Sequence, residues 1–177
     1  MLLIQLTGLS GSGKTSIAYQ VKRWMNTRIE HLNVEVIDAD EHRKTVCKDL
    51  GFTKEDRIEN IRRLGKITDD LVQKNCIAIV AAINPYAIAR TELKLRYNAK
   101  TVWIKCSLEE LIKRDTKGLY RRALMDKNNI EKLNNLTGIN DPYDAPEDAD
   151  LIINTGIEDL QSSAMRLNNF IVQQLNL

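Results

Sequence analysis

Residues Gly8-Leu9-Ser10-Gly11-Ser12-Gly13-Lys14-Thr15 satisfy the pattern GxxxxGK[ST]. The residue types divide the work of holding a polyphosphate. Gly8, Gly11 and Gly13 let the backbone turn closely, so that successive N–H groups can face phosphate oxygens. The helix that starts near Gly13 adds its positive end. Lys14 brings a mobile cation to the β- and γ-phosphates, and the Thr15 hydroxyl can ligate Mg²⁺. Leu9, Ser10, Ser12 and Ser16 complete the stretch. This chemistry is the binding of a nucleoside triphosphate. The loop alone does not say whether the γ-phosphate goes to water or to an acceptor. No NKxD-type guanine-selecting element is present, and 177 residues are fewer than a motor or helicase ATPase usually needs. A small-molecule kinase fits better, because closure of such an enzyme must exclude water from ATP.

Two further groups of charge bear on transfer. Asp38-Ala39-Asp40 follows an apolar run, at the strand end where open parallel sheets bind ligands. If the strand persists, Asp38 and Asp40 point the same way. One carboxylate can order an acceptor hydroxyl and take its proton, and the other can help hold the metal. Arg43, Arg57, Arg62 and Arg63, with Asn60 between the last three on a helix, form a basic cluster suited to an anionic acceptor. Arg114, Lys117, Arg121 and Arg122 form a second cluster, placed to neutralise migrating charge.

The elements that must position these groups are legible from apolar spacing. Leu2–Leu6 reads as a buried first strand. Ser16–Ile29 carries a helical stripe of Ile17, Val21, Trp24, Met25 and Ile29. Strands follow at Asn33–Ile37, Cys76–Ala82, Thr101–Cys106 and about Asp150–Asn154. Helices are expected over Lys54–Gln73, Ala87–Arg96 and about Ile157–Gln174, and Ser107 with Glu110 has the form of a capping box. Five strands alternating with helices predict an α/β three-layer fold of the P-loop nucleoside triphosphate hydrolase type, with a mostly parallel sheet. Residues 114–146, basic at first and then rich in Asn, Gly and Pro, read as a helical or loop lid over a single domain spanning 1–177.

Composition sets the outer bounds. Lys plus Arg number 26 against 24 Asp plus Glu, so the balance of +2 gives no support to nucleic-acid binding. The opening MLLIQLTGLSG is too short an apolar stretch for a signal peptide, and no run approaches the length of a membrane span. Cys47, Cys76 and Cys106 are odd in number and widely spaced, which fits inert thiols in a reducing, cytoplasmic compartment. Two histidines and no clustered thiols argue against structural zinc.

Six segments together resemble the adenylyl-sulfate kinase (APS kinase) family: GLSGSGKT at 8–15, DADEHR at 38–43, LGFTKEDRIENIRR at 50–63, INPY at 83–86, RDTKGLYRRA at 114–123 and LTGINDPYDAPE at 136–147. They occur in the family's order and cover nearly the whole chain. The resemblance implies ATP-dependent phosphorylation of the 3′-hydroxyl of adenosine 5′-phosphosulfate (APS) to give PAPS, with ATP and Mg²⁺ bound and a homodimeric assembly. It implies that Asp40 is the catalytic base and that Asp38, with Thr15, stands near Mg²⁺, partly through water. Arg43, Arg57 and Asn60 resemble the groups that hold the phosphosulfate and ribose. Phe52 resembles the aromatic that stacks on the acceptor adenine, and Ile83, Asn84, Pro85 and Tyr86 resemble the loop beside the acceptor. Lys117, Gly118, Leu119 and Tyr120 resemble the lid segment closing the acceptor pocket, while Arg114 and Arg121 reach the ATP side.

This chain departs from the family pattern at three positions. Ala39 replaces a common glycine, a minor change at negative φ. Asn84 stands where many members carry a phosphorylatable serine, and asparagine cannot form that ester. Leu136 replaces a phenylalanine that sandwiches the acceptor base. The last change keeps open a kinase acting on another nucleotide-diphosphate-like acceptor, such as a cytidine-linked one. A noncatalytic ATP-binding regulatory protein is the reading from another class, and it predicts loss of Lys14, the acidic pair or the lid charges; all are present.

Overall fold

In the computed structural model, which describes residues 1–28 and 32–176, the chain runs β1 (Leu2–Thr7), α1 (Lys14–Arg28), β2 (Val34–Asp38), α2 (Ala39–His42) and α3 (Lys54–Gln73). It continues with β3 (Ile77–Ala81), α4 (Ala87–Tyr97), β4 (Lys100–Lys105), α5 (Leu108–Arg114), α6 (Leu119–Ala123), β5 (Leu151–Asn154) and α7 (Leu160–Leu175). Every residue of β1 and β3 is buried. Strands covered on both faces belong at the centre of a parallel sheet.

The five strands lie in the order β2-β3-β1-β4-β5, and all four ladders are parallel. Alternate side chains of each strand leave by opposite faces. Leu2, Ile4 and Leu6 meet Ile17, Val21 and Met25 of α1 and Leu167 and Ile171 of α7. Leu3 and Val80 meet Ile61 and Leu64 of α3 and Leu93 of α4. Each such fully buried aliphatic side chain contributes roughly 1.5–3 kcal/mol against solvent exposure, and the two clusters lock the sheet between its helix layers. Gly65 lets α3 and α4 approach, since a Cβ there would lie 3.0 Å from Leu93 Cδ1.

Predicted and observed elements differ mainly at their ends. The first helix begins at Lys14 rather than Ser16, and the expected end at Ile29 lies outside the described residues. The last helix starts three residues late, at Leu160, because the Asp159 side chain accepts from the Ser162 N–H and sets the cap there. Ser107 accepts from the Glu110 N–H at 3.3 Å, but the Glu110 carboxylate turns to Arg114, so only half of the expected capping box forms. A full box stands instead at Thr53 and Asp56, opening α3.

The region read as a lid divides into unlike halves. Residues 115–134 hold the short helix α6 and turns, with Ile130 wholly exposed. Residues 135–144 form an anchored strap: Arg57 donates to the Asn135 carbonyl and Thr137, and Arg90 donates to the Asp144 carbonyl. Among the described residues no helix is long and apolar enough to cross a membrane.

Candidate active site

The phosphate loop leaves the central strand β1 and turns straight into α1, so its backbone N–H groups gather at the carboxyl edge of the sheet. Gly8 sits at φ +151°, and a Cβ there would lie 2.3 Å from the Ile104 carbonyl oxygen; no side chain fits. Gly11 and Gly13, at φ +75° and +94°, give the loop its curl. The loop's carbonyls are drawn outward. Tyr120 Oη donates to the Ser10 carbonyl at 2.8 Å and Thr155 Oγ1 to the Ser12 carbonyl at 2.9 Å. Burial pushes the Tyr120 phenol up to about 12, so it stays a donor at neutral pH. At the base of the loop, the Gly8 N–H donates to the Ile83 carbonyl at 3.2 Å and so joins it to the 83–86 segment.

Lys14 Nζ lies within the loop and donates to the carbonyls of Gly8 and Leu9, both at 2.8 Å, and to Ser12 Oγ at 3.3 Å. Burial is the main cause, and the Lys117 cation a second, of an ammonium lowered to about 7; Asp40 and Asp38 work against both. The Thr15 hydroxyl donates to Asp38 Oδ2 at 2.7 Å.

The acidic pair does not form as the sequence predicts. The strand ends at Asp38, whose Oδ1 accepts from the N–H groups of Asp40 and Glu41 and caps α2. Asp38 therefore points back to Thr15, while Asp40, one residue into the helix, stands out into solvent with its side chain 67% exposed. There Lys117 Nζ meets Asp40 Oδ2 at 2.5 Å. A pair this exposed is worth about 0–1 kcal/mol and separates readily.

These groups share a cavity of about 660 Å³. Ser10, Gly11, Gly13, Lys14, Thr15 and Ser16 of the loop and its helix line it, with Asp38, Asp40, Arg43, Phe52 and Arg57. Ile83, Lys117, Leu119 and Leu136 line it as well. Asn60, Asn84 and Pro85 line a small side cavity that shares Asp40, Arg43, Phe52 and Arg57 with the main one. Phe52, 52% exposed, carries the Arg43 guanidinium 4.4 Å and the Arg57 guanidinium 5.5 Å from its ring centre.

Other expected residues stand behind the wall. Leu9 packs into the cluster of Leu111, Tyr120, Ala123 and Leu136. Gly8 and Ser12 belong to the loop but do not line the cavity, and Gly118, at φ +64°, opens α6. Tyr86 is buried beneath Lys54, whose Nζ is 5.5 Å from the ring centre. Arg114 donates to the Thr155 carbonyl and to Glu110, and Arg121 is exposed on α6. Neither arginine lines the cavity among the described residues. The four-arginine cluster also breaks up. Arg62 pairs with Glu92 and Arg63 with Asp49 and Glu59 on the outer helix face, because only one helix face can turn to the site.

Several contributors carry no motif of their own. Gln5 Nε2 donates to the Arg90 carbonyl, which leaves Gln5 Oε1 to accept from Asn84 Nδ2. Thr7 and Arg90 both donate to the Asn84 carbonyl, fixing Asn84 at φ +45°. The Tyr143 hydroxyl meets Thr7 Oγ1 at 3.0 Å. Asp141, Tyr143 and Asp144 lie inside the 136–147 segment, but only the fold shows what they touch.

The chain is 35% identical over 170 residues to an adenylyl-sulfate kinase of Myxococcus xanthus, covering 93% of this chain and 88% of that one. It is 38% identical over 166 residues to a probable bifunctional SAT/APS kinase of Sorangium cellulosum, of whose length the match spans 27%. Its fold superposes with a TM-score of 0.87 on an APS kinase of Mycobacterium tuberculosis in complex with AMPPNP and APS, at 30% identity and covering 96% of both chains. A shikimate kinase of Aquifex aeolicus, at 17% identity and a TM-score of 0.55, shares the fold alone. The sequence profile described as Adenylylsulphate kinase matches residues 1–154, from the first strand through the last. Sequence profile, relatives matched along most of both chains and a superposed fold agree, and the protein belongs to the adenylylsulphate kinase family.

Proposed function

We propose that this chain transfers the γ-phosphate of ATP to the 3′-hydroxyl of adenosine 5′-phosphosulfate, giving ADP and PAPS. The observation that carries the reading is the shared cavity: the loop that would hold ATP, the Arg43, Phe52 and Arg57 group that would hold the acceptor, and Asp40 all line one space. ATP enters along the loop, and Lys14 leaves its carbonyl partners for phosphate oxygens. Asp40 Oδ2, released from Lys117, orders the acceptor hydroxyl and takes its proton late in transfer. Lys117, freed in the same step, stays beside the migrating charge. The acceptor base lies between Phe52 and Leu136, and Arg43, Arg57 and Asn60 receive its phosphosulfate and ribose. Buried Asn60 Oδ1 makes no hydrogen bond among the described residues, so it can accept from a ribose hydroxyl.

Mg²⁺ fits the donor set, because Thr15 Oγ1 and Asp38 Oδ2 are oxygens 2.7 Å apart, and Mg²⁺ is usually held by one or two protein oxygens plus phosphates and water. When bound with ATP it neutralises charge on the phosphates. Residues 1–177 act as one unit, closed by the segment at about 114–146; Arg114 and Arg121 reach the ATP side only on closure. The assembly is a homodimer, as the family resemblance implies, and a sedimentation run on the purified chain checks it. Free Cys47, Cys76 and Cys106 support a reducing, cytoplasmic setting.

The test is ADP release with ATP·Mg²⁺ and, separately, APS, AMP, a cytidine-linked analogue or no acceptor, with products identified by mass. APS-dependent release with PAPS formed is expected. Release with the cytidine compound alone would overturn the acceptor, and release with no acceptor at all would overturn the kinase reading.

A further inference from the structure

Arg57 is 7% exposed and makes four contacts through three nitrogens. Nε donates to the Phe52 carbonyl at 3.0 Å and Nη1 to Thr137 Oγ1 at 3.2 Å. Nη2 donates to the Asn135 carbonyl at 2.6 Å and lies 2.8 Å from Asp141 Oδ2. One guanidinium thus joins the backbone that carries Phe52 to the residues on either side of Leu136. Phe52 and Leu136 both line the main cavity. A planar base makes close contact at about 3.5–4.0 Å from each wall, so whatever fixes the two walls relative to each other decides which bases fit.

Asp141 is built to hold that guanidinium. Its N–H donates to the Leu136 carbonyl at 3.2 Å, and its own carbonyl accepts from the Gly138 N–H at 2.8 Å. The carboxylate therefore rides on the turn that carries Leu136. The turn is closed further by Asn140, which accepts from the Leu136 N–H at 2.7 Å. Arginine stays charged inside a protein, and a buried cation without its counter-ion is strongly disfavoured. The side chains of this pair are only 7% and 21% exposed, against 54% and 67% for Lys117 and Asp40. One pair is made to hold and the other to open.

We propose that Asp141, which lines neither cavity, is a positioning residue that fixes Arg57 and so sets the slot between Phe52 and Leu136, governing acceptor affinity and base selectivity. The assignment rests on the acceptor reading above, and its test separates the two. Asp141→Asn keeps the size and removes the charge. Loss of a buried charge partner of this kind raises the acceptor KM by about tenfold or more. The ATP KM and kcat stay within about twofold, and the preference for APS over cytidine 5′-phosphosulfate narrows. Asp141→Glu restores part of the loss, and Thr137→Val, which removes only one hydroxyl, moves the same constants in the same direction by less.

Amide hydrogen exchange of the unliganded protein supplies a readout that needs no substrate. In Asp141→Asn, residues 52–57 and 135–141 speed up together by about tenfold, while the core strands do not change. Exchange that quickens in neither segment, or in the core as well, overturns the proposal. So does an unchanged acceptor KM, or an equal rise in both KM values. Wild-type enzyme that releases no ADP with APS overturns the acceptor reading, and the exchange result then judges the positioning of the two walls by itself.

Discussion

Leu136→Phe puts the acceptor slot to a direct test. Leu136 is 4% exposed and packs on Leu111 and Tyr120, and its carbonyl accepts from the N–H groups of Ile139, Asn140 and Asp141. The backbone is therefore held, and a larger side chain must extend into the cavity of about 660 Å³. Base stacking on an aromatic ring is worth about 1–3 kcal/mol; leucine already supplies part of that contact, so a net gain of about 1 kcal/mol is expected, or roughly fivefold in the acceptor KM. Crowding against Tyr120 costs about 1 kcal/mol of stability or more, which lowers Tm by about 2–4 °C in a chain of this size. Steady-state kinetics against APS and ATP, with calorimetric titration of APS, reads both effects. An acceptor KM unchanged in a folded variant would place Leu136 outside the acceptor contact. Tightening of ATP by the same factor would show that the ring acts on the whole cavity rather than on the base.

Three shorter predictions concern the reacting groups. Lys14→Ala lowers kcat by about a hundredfold or more, and it also weakens ATP binding, because Gly8 and Leu9 lose the donor that shapes the loop; near-normal turnover would remove Lys14 from the mechanism. Asp40→Asn lowers kcat by about 10²–10⁴-fold with ATP affinity little changed, and an effect confined to ATP affinity would make Asp40 a binding residue. The third is a pH effect. Lys14 is lowered from 10.5 to about 7 in the folded chain, so between those values the unfolded chain holds more protons and stability rises with pH. Below about 7 both states are protonated and the burial penalty is fully present. The unliganded protein should therefore gain Tm between pH 7 and 9 relative to Lys14→Met, and parallel melting curves for the two would contradict the assignment.

What could be seen in advance was set by how local the physics is. The helix over Lys54–Gln73 appears at its predicted bounds, because its apolar stripe and its cap both lie within the segment. The phosphate loop was equally plain, since its conformation and its chemistry are properties of one short run. Asp38 and Asp40 were seen as a pair but not as they stand. The outcome turned on Asp38 capping α2, a competition between strand and cap that alternation does not reveal. Resemblance alone separates Arg43 and Arg57 from Arg62 and Arg63; in spacing Arg57 is no different from the other two on its helix. Its distinction is that its helix face meets the 135–141 turn, and that depends on packing between segments far apart in the chain. Gln5, Thr7 and Arg90 escaped for the same reason, as polar residues within or beside apolar runs whose partners lie elsewhere.

The hydrogen bonds that build the pocket have a kinetic consequence. Arg57 reaches its partners in the strap across 78 and 80 residues, Thr7 reaches Tyr143 across 136, and Thr155 reaches Ser12 across 143. Contacts of this span form only after long loops have closed, and that entropy is lost before the contacts return anything. The helices, whose hydrogen bonds are local, can therefore form while the acceptor wall is still unmade. During refolding from denaturant, recovery of the far-ultraviolet signal should run ahead of recovery of kinase activity. A chain still emerging from the ribosome would carry the glycines and the lysine of the phosphate loop from the start, but not the Tyr120 and Thr155 hydroxyls that brace its carbonyls.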